Sequence, residues 1–135
     1  MEKQYGKNKK AGEAFLAAYK KQPGVKSLPG GVLYKVIKEG SGEMPKDTST
    51  VKVNYEGKTI DGVVFDSSYK NKKPVTLRAN QVIQGWTTAL THMPAGSVWE
   101  VVIPQNLAYG DREQDPIKPF STLIFKIELI GVGNK

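Results

Sequence analysis

"NQVIQGWTTAL", residues 80–90, sets Val82 and Ile83 just ahead of Gly85 and Trp86 and then opens a helical pattern. Tryptophan is the largest apolar side chain, and a glycine directly before it leaves the backbone bare on that side. Two readings compete. The ring plugs the core, or it floors a pocket for something that arrives from outside. Taken alone, the position reads as core. Trp86, Leu90 and Met93 recur at i, i+4 and i+7, which predicts a short helix over residues 84–92 with one face on that core.

Outward from this helix the signals are those of strands. "VLYKVIK" (32–38) is β-branched and bounded by Gly30-Gly31 and Gly40. "VKVNYEG" (51–57) alternates, with Val51, Val53 and Tyr55 on one face and Lys52, Asn54 and Glu56 on the other. Asp61-Gly62 supplies a tight turn toward "VVFDSS", so residues 51–67 are expected to form a hairpin. "PVTL" (74–77) starts on proline, where the missing N–H does least harm. "SVWEVVIP" (97–104) and "STLIFKIELIGV" (121–132) complete the set. One short helix against about five antiparallel strands predicts an α+β fold, a curved sheet wrapped around the helix. At 135 residues the chain is long enough for one well-cored domain.

The N-terminal stretch "KNKKAGEAFLAAYKKQPG" (7–24) reads as a further helix, stopped by Pro23-Gly24. Its stripe of Ala11, Phe15, Ala18 and Tyr19 is thin, which predicts light packing on the rest. It is either the end of a longer helix leading in from a neighbouring domain or a solitary helix docked on the sheet. The expected division is a helical segment over residues 1–24 and a domain over 25–135.

Composition removes several function classes. With no cysteine there is no disulfide framework, thiolate nucleophile or Cys-based zinc site. With one histidine, His92, a His-rich metal site is excluded and a Ser-His-Asp triad would have to use that single ring. No apolar run approaches the roughly 18 residues of a membrane span, and a soluble chain without a membrane partner is expected. The net charge of +7 resides entirely in residues 1–38, and the remaining residues are neutral. That distribution fits a solvated helix face better than a nucleic-acid surface, so no nucleic-acid partner is expected.

"VNYEGKTIDGVVFDSS", "VIQGWTTALTHMPAGSVWEVVIP", "LAYG" and "TLIFKIELI" stand in the order and spacing of the FKBP-type peptidyl-prolyl cis-trans isomerases. Any one of them is weak, but four in register make the chain resemble that family over residues 25–131. The Lys/Ala-rich helix and "PGVKSLPGGVLYKVI" are similar to bacterial Mip- and FkpA-type members, whose isomerase domain follows a long helix and an N-terminal dimerisation domain. No such domain is expected here, and the chain as given is expected to be a monomer. The resemblance implies an FKBP-like fold, proline-containing polypeptides as substrates and FK506/rapamycin-type macrolides as inhibitors. It implies no cofactor and no metal. It points to the bacterial periplasm or cell envelope, with the cytoplasm as the alternative.

Carried over residue by residue, the resemblance implies that Tyr55, Phe65, Asp66, Trp86, Tyr109 and Phe125 do the catalytic work. It makes Leu77, Val82, Ile83 and Ile117 substrate-binding. Trp86 would floor the proline site, Ile83 would donate its backbone N–H to a substrate carbonyl, and Tyr109 would offer its hydroxyl to a second one. Asp66 would sit at the rim. There are departures. "PVTL" offers Leu77 or Val75 where many relatives carry an aromatic, and Asn71 stands where relatives often have an Arg able to pair with Asp66. Asp66 is then left to hydroxyls and amides, or is more mobile. Lys118 follows Ile117 and could disfavour basic substrates. His92 has no role in the family and is expected at the surface.

Such chemistry suits these residues. Rotation about an X-Pro bond faces a barrier of roughly 18–20 kcal/mol. Turnover near a thousand per second needs a barrier of about 13, so the protein must supply about 6–7 kcal/mol. No bond breaks. A dry pocket and hydrogen bonds favouring the twisted amide suffice. The alternative is a non-catalytic FKBP-like module that binds unfolded chains as a chaperone without turning proline over.

Overall fold

The alternation of residues 51–56 becomes the axis of the structure. The computed structural model describes residues 2–46, 48–60, 62–67, 74–108 and 121–133. Strand β3 (Thr50–Thr59) buries Val51 and Val53 and pairs along its whole length with β7 (Leu123–Gly133). Its other edge is shared. β5 (Val75–Arg78) pairs residues 50–53 and β4 (Val64–Ser67) pairs residues 56–58. Beyond β7 the sheet continues through β6 (Val98–Ile103) and β2 (Leu33–Lys38) to β1 (Val25–Ser27), every pair antiparallel.

Among the described residues the sheet has seven strands where about five were expected. β1 is three residues long, too short to show a period, and β4 and β5 divide one edge between them. The expected hairpin forms as β3–β4. Asp61 of its turn dipeptide lies outside the described residues.

Helix α2 (Gln84–Leu90) packs on one face of the sheet. It ends two residues before the expected position, and the chain then turns through Thr91 so that Met93 N–H reaches the Leu90 carbonyl. Trp86, Ala89, Leu90 and Met93 are buried there with Val101, Ile103, Phe125 and Ile127, the inward residues of β6 and β7. The stripe predicted at i, i+4 and i+7 is therefore the core-facing one.

The opposite face carries an apolar row, Leu33, Val102 and Ile124, covered by helix α1 (Glu2–Lys20). Here the sequence reading needs correction. Ala11 and Ala18 are exposed, and the docked stripe is Gly12, Phe15, Leu16 and Tyr19. Tyr19 is only 4% exposed, and its hydroxyl donates to Glu100 Oε1 at 2.8 Å. Burial first, then the Glu100 carboxylate, pushes the Tyr19 phenol well above its ordinary range. The thin stripe thus contains one large anchor and a polar latch. Past the apolar row, Lys35, Glu100, Lys126 and Glu56 are cross-strand neighbours on β2, β6, β7 and β3. Their signs alternate, which suits a solvated sheet face. Among the described residues no helix is long and apolar enough to cross a membrane.

Candidate functional site

Two glycines set how closely the site's walls approach. Gly85 is buried, and a Cβ placed on it would run into the side chain of Ile103 on β6. The bare backbone before Trp86 is therefore filled by the sheet, drawing α2 close to β6 rather than leaving an opening. Gly57 lies inside β3, opposite both Phe125 and Asp66. A Cβ there would stand 2.7 Å from Phe125 Cε1 and 2.7 Å from Phe65 Cζ. Its missing side chain makes room for two aromatic rings. Sequence reading passed over Gly57, although a glycine within an alternating strand signals close approach.

These rings surround a cavity of about 670 Å³, within the range typical of small-ligand sites. Trp86 is 4% exposed and yet lines it, so the ring belongs to the core and to the pocket wall at once. Its plane stands at 85° to Tyr55 and 87° to Phe125, with centroids 5.2 and 5.3 Å away. Phe65 meets Phe125 edge-on at 5.7 Å and 88°. Edge-to-face contacts satisfy the ring quadrupoles.

Eight of the ten residues expected at the site line this one cavity: Tyr55, Phe65, Asp66, Leu77, Val82, Ile83, Trp86 and Phe125. Tyr109 and Ile117 lie outside the described residues, as do Asn71 and Lys118. Gln81, Asn106 and Ala108 line the cavity too and were not foreseen. Gln81 and Asn106 stand in connections, where sequence period carries no signal of direction.

The polar groups are few and well placed. Tyr55 Oη donates to Asp66 Oδ2 at 2.6 Å, so a hydroxyl holds the carboxylate, one of the two outcomes that Asn71 left open. Asp66 itself is exposed at the end of β4. Ile83 precedes α2 in an extended conformation, and its carbonyl accepts from the N–H groups of Trp86 and Thr87. The Ile83 N–H has no acceptor among the described residues, as is usual for amides at a helix start. It remains able to meet a carbonyl brought by a ligand.

His92 plays no part here. It is exposed after α2, and its Nδ1 lies 2.8 Å from the Thr88 carbonyl, which can only accept, so Nδ1 carries the proton. Trp99 is stacked on Tyr34 at 4.1 Å and does not line the cavity. Among the described residues no cluster of His, Asp and Glu could hold a metal ion. The arrangement can desolvate a ring-sized apolar group and offer directed hydrogen bonds around it. Among the described lining residues no side chain is a thiol or an imidazole that could act as a nucleophile or a base near neutral pH.

Comparison with known proteins bears on the family and the fold. A family model described as FKBP-type peptidyl-prolyl cis-trans isomerase matches residues 41–130. A second, described as the domain amino-terminal to FKBP-type peptidyl-prolyl isomerase, matches residues 1–36. The outer membrane protein MIP of Legionella longbeachae is 55% identical over 126 residues, 93% of this chain and 54% of that protein. The peptidyl-prolyl cis-trans isomerase Mip of Coxiella burnetii is 47% identical over 129 residues, 95% of this chain and 56% of its own. The chain thus spans about half the length of these curated relatives. The crystal structure of FkpA from Escherichia coli superposes with a TM-score of 0.93 at 42% identity, covering 98% of this chain and 62% of that one. A peptidyl-prolyl isomerase structure from Pseudomonas syringae pv. tomato gives 0.90 at 41% identity, covering 96% of each chain.

Proposed function

This chain belongs to the FKBP-type peptidyl-prolyl cis-trans isomerase family, and we propose that its cavity accelerates rotation about X-Pro bonds in polypeptide chains. The observation that carries the reading is the chain of edge-to-face rings, Tyr55 on Trp86, Trp86 on Phe125 and Phe125 on Phe65, around a cavity beside an Ile83 N–H that has no acceptor among the described residues. The proline ring rests on Trp86 between the other aromatics. The Ile83 N–H takes a substrate carbonyl, and the Tyr55–Asp66 pair fixes a polar rim. Removing water from an amide lowers the preference for its charge-separated planar form, and twisting reduces conjugation further. Groups already in place then favour the twisted state without reorganising. Tyr109 and Ile117 join this site by resemblance to the family.

Macrolides that carry a proline-like ring are the inhibitors this site should accept. The working division into a helical segment, residues 1–24, and an isomerase domain, residues 25–135, follows the resemblance. A dimeric parent chain is part of the same reading and rests on the resemblance to Mip- and FkpA-type members. The cell envelope is the compartment we favour, on the name of the Legionella relative.

The test is an isomerisation assay on short X-Pro peptides with X varied, run beside a fluorescence titration with a macrolide. Acceleration well above the uncatalysed rate and quenching of Trp86 are expected, while Trp99, held against Tyr34 away from the cavity, responds little. A rate equal to the uncatalysed one and an indifferent Trp86 would leave a module that holds unfolded chains without turning proline over.

A further inference from the structure

The polar groups lining the cavity differ in what they are already bonded to. Tyr55 and Asp66 are joined to each other. The side-chain carboxamides of Gln81 and Asn106 line the same cavity, are exposed, and have no hydrogen-bond partner among the described residues. Each offers two N–H donors and a carbonyl acceptor, the complement of a peptide unit.

Their placement favours a main chain over a side chain as the ligand. Gln81 stands two residues before Ile83, a separation of at most about 7 Å. A peptide whose carbonyl meets the Ile83 N–H therefore passes Gln81 within one or two residues. Asn106 enters from a separate connection, the 3₁₀ turn Gln105–Leu107 after β6, where the buried Leu107 anchors it. Among the described lining residues Asp66 is the only ion, so a charged substrate side chain finds one handle. A peptide backbone finds three, in the Ile83 N–H and the two carboxamides. An unfolded segment always presents unpaired backbone groups, whereas a folded one has bonded nearly all of them.

We propose that Gln81 and Asn106 bind the substrate main chain beside the proline, so that the site selects extended, unfolded backbone. Affinity then follows the length of extended chain more than the identity of its side chains. This rests on reading the cavity as the proline site.

Gln81→Leu, Asn106→Leu and the double variant change exposed side chains, and circular dichroism checks that each folds. Binding is measured by fluorescence anisotropy of labelled proline-centred peptides of four and eight residues. Turnover of the same peptides is measured in parallel. Each substitution is expected to weaken the eight-residue peptide about three- to tenfold, as loss of one hydrogen bond does. That loss should exceed the loss on the four-residue peptide and should appear in KM rather than kcat. N-methylation of the longer peptide on either side of the proline should mimic it. Equal losses on both lengths, a loss carried by kcat, or full affinity in the double variant overturns the inference. A wild-type protein that binds both peptides but isomerises neither refutes the isomerase reading, while the length dependence still decides the role of the carboxamides.

Discussion

Replacing Tyr19 tests how firmly α1 is held to the sheet. Its ring is 4% exposed, stacks on Phe15 at 5.9 Å, and covers a row in which Leu33, Val102 and Ile124 are 4%, 0% and 7% exposed. Tyr19→Ala removes a buried aromatic, which costs about 3–5 kcal/mol in a core that cannot collapse. The cluster lies under a surface helix that can settle, so the lower end, about 3 kcal/mol, is expected. For a chain of this size that lowers the melting temperature by roughly 10 °C. Tyr19→Phe keeps the ring and loses only the bond to Glu100. Glu100 is half-buried and regains water, so about 1 kcal/mol is expected. Truncation of residues 1–22 is the extreme case. Fully burying one aliphatic side chain contributes about 1.5–3 kcal/mol, and truncation wets three at once. That is a large part of a total stability of about 5–15 kcal/mol. Urea unfolding followed by tryptophan fluorescence, with thermal melts by circular dichroism, measures all three. A Tyr19→Ala midpoint equal to wild type, or a truncated chain as soluble and stable as the whole, would refute this account and restore the light docking expected of a thin stripe.

Four other outcomes follow from the geometry. Asp66→Ala and Tyr55→Phe break the same 2.6 Å bond at an exposed carboxylate. Each should lower short-peptide turnover by about tenfold or less and move the melting temperature by only a few degrees; a collapse in stability would show the pair to be structural. Gly85→Ala forces a methyl into Ile103 and should cost about 1–3 kcal/mol, with the shift of Ile103 visible by NMR; a neutral substitution would mean α2 does not pack as described. Turnover should be nearly flat from about pH 6 to 8 and survive His92→Ala, since that ring is turned to its own helix; a bell-shaped profile there refutes catalysis without an ionising group. Tyr19 has its phenol raised in the folded state, so its contribution is complete below its ordinary value of 10.0 and is lost as pH rises above that value. Denaturation at high pH should therefore be shallower in Tyr19→Phe; an identical alkaline limb would show that this phenol does not titrate differently on folding.

Local pattern carried a large share of this protein. The alternation of Val51, Val53 and Tyr55 told which way β3 faces, and the spacing of Trp86, Leu90 and Met93 told which side of α2 is core. Both are backbone periods, set by geometry within a few residues. The site was legible for a different reason. Seven of its residues were named from motifs in register, and Leu77 from the family's wall position in "PVTL", since composition and period alone leave Trp86 an ordinary core residue.

What failed to show in the sequence depends on partners far along the chain. Ala11 and Ala18 continue a plausible stripe, yet Gly12 and Leu16 are the residues that face the sheet, because Tyr19 must reach Glu100, 81 residues away. Gly57 looks like a weak strand residue until Phe65 and Phe125 arrive from the two neighbouring strands and fill its place. Gln81 and Asn106 come to line one cavity only when two separate connections converge on it. A sequence determines which face of each element is apolar, because side-chain direction follows backbone period. Which neighbour fills that face is decided by strand register and helix docking, since those contacts join residues that no local period connects.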